Sequence, residues 1–192
     1  MSRKPLTKLA QEFIEGSVFP GDTVIDATLG NGHDTLFLTR LIAPSGQLFG
    51  FDIQQKAVSQ TQGKLQQEGL ESLSQLFQRG HEQMSQSIPA EYHGKISAIM
   101  FNLGYLPGGD KGVTTLPVST AKALDCSLQL LAPGGRLTIM AYIGHPRGQE
   151  EANEVEHWID GLQADLWQCQ TIQPENLHTH PPKLYCCEKL LP

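Results

Sequence analysis

VIDATLGNGHD, residues 24–34, is the stretch whose reading decides the fold. Val24 and Ile25 end an apolar run of the kind that a parallel strand buried on both faces requires. Asp26 then puts a carboxylate at the C-terminal end of that strand. Gly30 and Gly32 permit a sharp turn and a close approach to a ligand, because no Cβ stands in the way. His33-Asp34-Thr35 opens a segment in which Leu36, Phe37, Leu38, Leu41 and Ile42 recur at helical spacing. Strand, glycine turn and helix N-terminus together form a nucleotide-binding arrangement.

Outward from this stretch, strand and helix patterns alternate to both ends of the chain. Leu6, Leu9, Ala10, Phe13 and Ile14 predict an amphipathic N-terminal helix, closed by the turn Pro20-Gly21-Asp22. The second strand spans Gln47 to Phe51 and is closed by Asp52. A helix follows from Gln54 to Glu68, with Ala57, Val58, Thr61 and Leu65 on its apolar side. Ser74 to Arg79 reads as a third strand ending at Gly80-His81, and Lys95 to Phe101 as a fourth ending at Asn102. After a glycine-rich loop, Thr120 to Leu131 is helical. Pro133-Gly134-Gly135 turns into a fifth strand, Arg136 to Tyr142. Val155, Trp158, Ile159 and Leu162 mark a further helix, and Leu166 to Ile172 and Leu184 to Leu190 are two more strands. The prediction is an open α/β sheet of the doubly wound, Rossmann-like type, with residues 1–192 forming one domain and residues 1–20 a helix packed on it.

Composition narrows the class. The 192 residues are 39% hydrophobic and 18% charged, which is globular rather than disordered. A net charge of -6 argues against a surface that coats nucleic acid broadly, so an RNA substrate needs a local basic patch. No apolar run reaches the roughly 18 residues of a membrane helix. MSRKPLTKLA lacks a secretory apolar segment, so a cytoplasmic protein without membrane contact is expected. Cys126, Cys169, Cys186 and Cys187 form neither a CxxC pair nor a disulfide framework and read as neutral thiols. In a strand, Cys186 and Cys187 face opposite sides. His178 and His180 near them raise a metal-site hypothesis, but ordinary zinc spacing is absent, and no metal is expected.

Two ligand classes compete for the glycine turn. The dinucleotide fingerprint G-x-G-x-x-G would need glycine where Thr35 stands, to let helix and strand pack closely around a pyrophosphate. S-adenosylmethionine has no pyrophosphate and carries an ammonium and a sulfonium. Asp26, with Asn31 and Asp34 nearby, suits that cationic ligand better than a dianion. Asp52 closes the neighbouring strand, where a carboxylate can accept hydrogen bonds from both hydroxyls of a ribose. The plain alternative is that the glycines serve only a tight turn.

The second informative loop is FNLGYLPGGDK, residues 101–111. Asn-x-x-Tyr after the fourth strand resembles the Asn-Pro-Pro-Tyr signature of amino-group methyltransferases, with Leu103-Gly104 in place of the prolines. Methyl transfer is an in-line displacement, so the acceptor nitrogen must present a lone pair. The Asn102 side-chain oxygen and the Leu103 carbonyl can accept its N–H bonds and aim that lone pair. Tyr105 can stack on a flat base. The bland readings are an amide capping a strand end, an aromatic packing a loop, and a solvated Asp110-Lys111 pair. In Tyr142 to Gly148, His145 offers a substrate contact or proton relay, and Arg147 a phosphate clamp beside Lys111. A loop histidine also serves structure, and His81 is an adenine-side contact or a loop filler.

Four blocks together, DATLGNGHDT (26–35), FDIQ (51–54), FNLGYLPGGDK (101–111) and GHPRGQEE (144–151), resemble the MnmM or YtqB-like class I methyltransferases, long labelled rRNA methylases. The resemblance implies a mostly parallel seven-stranded sheet with helices on both faces. It also implies S-adenosylmethionine as cofactor and N-methylation of the 5-aminomethyl group on 2-thiouridine at the tRNA wobble position. Asp26, Thr28, Gly30, Asn31, Gly32, Asp34, Asp52, Gln54, His81 and Asn102 would form the cofactor site. Asn102, Tyr105 and His145 would carry the chemistry, with Leu103, Lys111 and Arg147 facing the nucleotide. The implied partner is a tRNA anticodon stem-loop, and similar small enzymes suggest a homodimer. The competing readings are a methyltransferase for rRNA or a small amine, a non-catalytic cofactor-binding module and, least favoured, a dehydrogenase.

Overall fold

The computed structural model describes residues 4–110, 112–174 and 181–191. Its seven strands are β1 (Thr23–Asp26), β2 (Gln47–Asp52), β3 (Ser74–Gln78), β4 (Ile96–Leu103), β5 (Leu131–Ala141), β6 (Trp167–Ile172) and β7 (Lys183–Lys189). The helices are α1 (Leu6–Glu15), α2 (His33–Ile42), α3 (Gln55–Gln67), the single turn α4 (Met84–Ser87), α5 (Pro117–Leu130) and α6 (Gly148–Asp160). One sheet runs in the order β3-β2-β1-β4-β5-β7-β6. The first five strands pair in parallel, while β7 is antiparallel to both β5 and β6.

The sheet is buried on both faces, and β4 shows how its sequence achieves this. Ile99 and Phe101 join the core beneath α5 and α6, with Leu124, Ala152 and Val155. Ala98 and Met100 point the other way, among Ala10, Ile14, Leu38 and Ile42 of α1 and α2. A period of two in side-chain direction combined with two apolar cores yields the near-continuous run IMF. Helices therefore cover both faces, as expected.

Arg136 ties the N-terminal helix down. Its guanidinium donates to the Phe13 carbonyl at 2.6 Å and to Glu188 at 3.0 Å, and lies 4.8 Å from the centre of the Phe13 ring. A cation at a helix C-terminus satisfies a carbonyl that the helix itself leaves unpaired. Gly16 makes room for it, since a Cβ there would overlap the guanidinium.

Two expectations change. β5 begins at Leu131, ahead of the Pro133-Gly134-Gly135 turn predicted to precede it. Leu131 pairs with Ile96 and Arg136 with Ala98, so the Pro-Gly-Gly segment bulges out of a strand already begun. The cysteines also differ: Cys169 and Cys187 are joined in a disulfide, with Cα atoms 4.1 Å apart. The two face each other across the antiparallel β6–β7 ladder, a register invisible in their sequence separation. Cys186 points to the opposite core from Cys187, as its adjacency predicts. His178 and His180 lie outside the described residues. No helix among the described residues is long and apolar enough to cross a membrane.

Connections from β1 run toward β2 and those from β4 toward β5, so the winding reverses between β1 and β4. At such a switch point the loops leaving the carboxyl ends of the strands diverge and open a crevice.

Candidate active site

A cavity of about 980 Å³ occupies that crevice. Ten of the predicted residues line it: Thr28, Gly30, Asn31, Asp34, Asp52, Gln54, His81, Asn102, Tyr105 and His145. They come from the ends of five parallel strands and the turns after them.

Asp52 braces the glycine turn. Its Oδ2 accepts the Gly30 N–H at 3.0 Å and its Oδ1 the Gln54 N–H at 2.9 Å, linking the glycine turn to the end of β2. Burial raises its carboxyl above the ordinary range, and the two N–H donors oppose the shift. His81 is 6% exposed and packs against Phe101, with ring centroids 5.6 Å apart. Burial holds its imidazole down to about 4, so it is neutral near pH 7.

Asp26 and Gly32 are corrections, since neither lines the cavity. Asp26 is fully buried under the turn. There it accepts the Thr35 hydroxyl at 2.5 Å and the Thr28 N–H at 3.1 Å. Thr35, at the position of the missing third glycine, thus serves as the partner of a buried acid. Burial first, then the charges of Asp34 and Asp52, push Asp26 up to about 7. Gly32 is the left-handed N-cap of α2, with φ 76°, and its open side faces α3. A Cβ there would come within 2.8 Å of Thr61 Oγ1 and 3.2 Å of Thr61 Cα. Gly32→Ala is therefore expected to cost about 2 kcal/mol, from left-handed alanine plus overpacking against Thr61. Urea denaturation reads the loss, and an unchanged midpoint with an unchanged slope refutes it.

At the end of β4, Asn102 is held at both ends. Its backbone N–H donates to Thr28 Oγ1 at 2.7 Å, and its side-chain Nδ2 donates to Asp34 Oδ2 at 2.8 Å. Asp34 Oδ1 in turn accepts Gln11 Nε2 at 3.2 Å, which brings α1 into the site. Leu103 is another correction: its side chain is in the core, and its carbonyl accepts the Tyr142 N–H at 3.0 Å. The β4–β5 ladder continues one residue beyond the predicted strand end and takes up that oxygen. Lys111 lies outside the described residues. Arg147 is exposed at the N-cap of α6 with φ 67° and does not line the cavity.

The loop after β4 is pinned by a hydroxyl relay. The Gly104 N–H donates to Thr115 Oγ1 at 2.8 Å, and that hydroxyl donates to Glu151 Oε2 at 2.7 Å. The Thr120 hydroxyl donates to Glu151 Oε1 at 2.6 Å. Glu151 is 1% exposed, and burial raises its carboxyl while the two hydroxyls hold it back. His145 packs edge-on against Tyr105, centroids 5.9 Å apart. Its Nδ1 donates to the Pro146 carbonyl at 2.9 Å, which leaves the proton off Nε2 in the neutral ring. Nε2 is buried without a hydrogen-bond partner among the described residues, close to Gly104 and Gly148. The geometry makes His145 a wall for Tyr105. Glu151→Gln is expected to cost about 1 kcal/mol, because an amide nitrogen replaces one of the two acceptors. Thermal unfolding checks this, and a variant as stable as wild type counts against the relay.

Sequence reading missed Gln11, Thr115, Glu151 and Tyr142. Tyr142 lines the cavity beside Gly104, and burial followed by the Asp34 charge raises its hydroxyl pKa. Only its place at the end of a parallel strand could have singled it out.

Comparison with known proteins agrees with this geometry. A chloroplastic tRNA (mnm(5)s(2)U34)-methyltransferase of Arabidopsis thaliana is 37% identical over 182 residues, which is 91% of this chain and 66% of that protein. A structure from Clostridium thermocellum, bearing the same description as the family named below, is 38% identical, with a TM-score of 0.93 over 99% of this chain and 100% of that one. A "putative methyltransferase" from Streptococcus mutans, in complex with SAH, is 34% identical, with a TM-score of 0.87 over 99% and 100% of the two chains. The sheet is thus the Rossmann-like fold of class I methyltransferases, as the resemblance implied. A family model matches residues 48–188, and the chain belongs to that family, described as "Putative rRNA methylase".

Proposed function

We propose that this protein is an S-adenosylmethionine-dependent N-methyltransferase. Its acceptor is the 5-aminomethyl group of 2-thiouridine at position 34 of tRNA, and its product is 5-methylaminomethyl-2-thiouridine. The observation that carries this reading is Asn102: an amide anchored to Thr28 and Asp34 at the crevice shared with the glycine turn and Asp52. The Arabidopsis relative supports the choice of substrate.

The residues present fit the cofactor. Asp34 and Asp52 line the cavity, so the pocket favours a cation over a pyrophosphate. Asp52 and Gln54 stand where a ribose would be held, and neutral His81 adds an uncharged wall beside them. The cofactor supplies an electrophilic methyl on sulfur. The protein's own work is to strip water from the acceptor amine and orient it. As the N–C bond forms, the C–S electron pair leaves with sulfur, and the surplus proton on nitrogen passes to solvent. Desolvation in a pocket of neutral acceptors lowers the pKa of the amine and frees its lone pair. Asn102 Oδ1 is the acceptor placed to orient it, and Tyr105, backed by His145, offers a face for the base. Arg147, exposed two residues past the cavity-lining His145, is available to a phosphate of the anticodon stem-loop.

The test is incubation of the purified protein with methyl donor and tRNA bearing 5-aminomethyl-2-thiouridine, followed by nucleoside mass spectrometry. Conversion to the methylaminomethyl nucleoside is expected. Methyl incorporation into rRNA alone, or into neither, defeats the substrate assignment.

A further inference from the structure

We propose that Asp34 is a positioning residue for the acceptor, fixing the Asn102 carboxamide so that its oxygen, and not its NH2, faces the incoming amine. This rests on the N-methyltransferase reading above and gives Asp34 a task separate from holding the cofactor.

An isolated asparagine amide can turn over, exchanging a donor edge for an acceptor edge at little cost. Opposite a carboxylate it cannot, because a carboxylate only accepts. With Asn102 Nδ2 at 2.8 Å from Asp34 Oδ2, the flipped amide would set two acceptor oxygens against each other in a half-buried site. The Asp34 rotamer is held in turn by Gln11, which donates to its other oxygen at 3.2 Å. The Asn102 backbone cannot swing away, since its N–H is bound to Thr28. Two cavity-lining side chains and one hydroxyl therefore leave Oδ1 as the free edge of the amide.

The consequence is chemical. An amide oxygen accepts an N–H from the amine and leaves the nitrogen lone pair to point elsewhere, toward the methyl. An amide NH2 in its place would bind that lone pair and block the attack. The orientation that Asp34 imposes thus separates a productive acceptor from an inhibited one. It also selects acceptors that carry N–H donors over ethers and carbonyls.

Asp34→Asn is nearly isosteric but can present either edge, so it removes the constraint without emptying the site. The expected result is a fall in kcat of about tenfold with cofactor and acceptor both saturating, separate from any loss of cofactor affinity that removing this charge brings. In Asp34→Asn/Asn102→Ala the second substitution should mask the first, so that the double variant is no slower than Asn102→Ala alone. Multiplying effects, or a kcat unchanged at saturating cofactor and acceptor, would each overturn the role. A readout independent of turnover is the Asn102 side-chain amide in ¹⁵N-resolved NMR. One Nδ2 proton is expected to be shifted downfield and slow to exchange, and to lose both properties in Asp34→Asn. An amide spectrum indifferent to that substitution also overturns the role. If wild type fails to methylate the tRNA, the substrate reading falls, while the amide spectrum still decides what Asp34 does.

Discussion

Replacing Asn102 with alanine should lower kcat for methyl transfer by roughly 10²–10³-fold, while the Kd for S-adenosylhomocysteine stays within about threefold of wild type. The argument is geometric. Asn102 contributes a backbone N–H that fastens β4 to Thr28, which alanine retains, and a side chain that alanine removes: its Nδ2 is bonded to Asp34, and its oxygen is the group proposed to hold the acceptor. Loss of the oxygen leaves the amine free to rotate in a pocket built to immobilise it. The effect belongs in kcat, because the contact matters most when the lone pair must be in line with the methyl. Calorimetry with S-adenosylhomocysteine and steady-state kinetics on acceptor tRNA separate the two quantities. A rise in KM at constant kcat would mean that Asn102 merely binds the substrate. Collapse of cofactor affinity would assign it to the other half of the cavity.

The second large effect concerns stability and pH. Asp26 is fully buried, and its carboxyl is pushed from 3.8 up to about 7 in the folded protein. Between those two values the native state holds a proton that the unfolded chain has released. The stabilising contribution is therefore fully present below about pH 4 and is lost as pH rises to 7. At about 1.4 kcal/mol per unit, the burden at pH 8 is on the order of 4 kcal/mol, an upper figure for a group that keeps two hydrogen bonds. Asp26→Asn removes the charge, keeps an oxygen for the Thr28 N–H and offers an NH2 to Thr35. Without cofactor, it should match wild type near pH 4 and exceed it by about 2–4 kcal/mol at pH 8. His81 acts with the opposite sign: its stabilisation is present above 6.5 and fades as pH falls toward 4. The wild-type profile mixes both groups, so the informative measurement is the difference between variant and wild type, from urea melts at several pH values. A flat difference would show that Asp26 is ionised throughout.

Much of this architecture is legible in the chain because it is local. The near-continuous apolar run of β4, helical spacing in α2 and the glycine turn between β1 and α2 each express a short-range rule, and the structure follows them. The residues after the strand ends were legible as a group, since an α/β sheet gathers those ends at one crevice. Thr28, Asn31, Asp52, Gln54, His81 and Asn102 meet there as foreseen. Less legible was which of them faces the ligand. Asp26 and Asp52 look alike in sequence, each an acid closing a strand, yet one is sealed under the turn and the other opens to the cavity. Thr35, across the turn, makes the difference by supplying Asp26 with a buried hydroxyl partner.

What the sequence determined by itself is the list of elements and the glycine turn that meets the other strand ends at one crevice. What only the tertiary structure decided is pairing at a distance. Gln11 meets Asp34, Asp34 meets Asn102, and Glu151 collects the hydroxyls of Thr115 and Thr120. Cys169 meets Cys187 by the register of two antiparallel strands. The physical reason is that propensity and periodicity act over a few residues. A hydrogen bond across 68 positions depends on strand order, register and pleat, which the whole sheet sets at once.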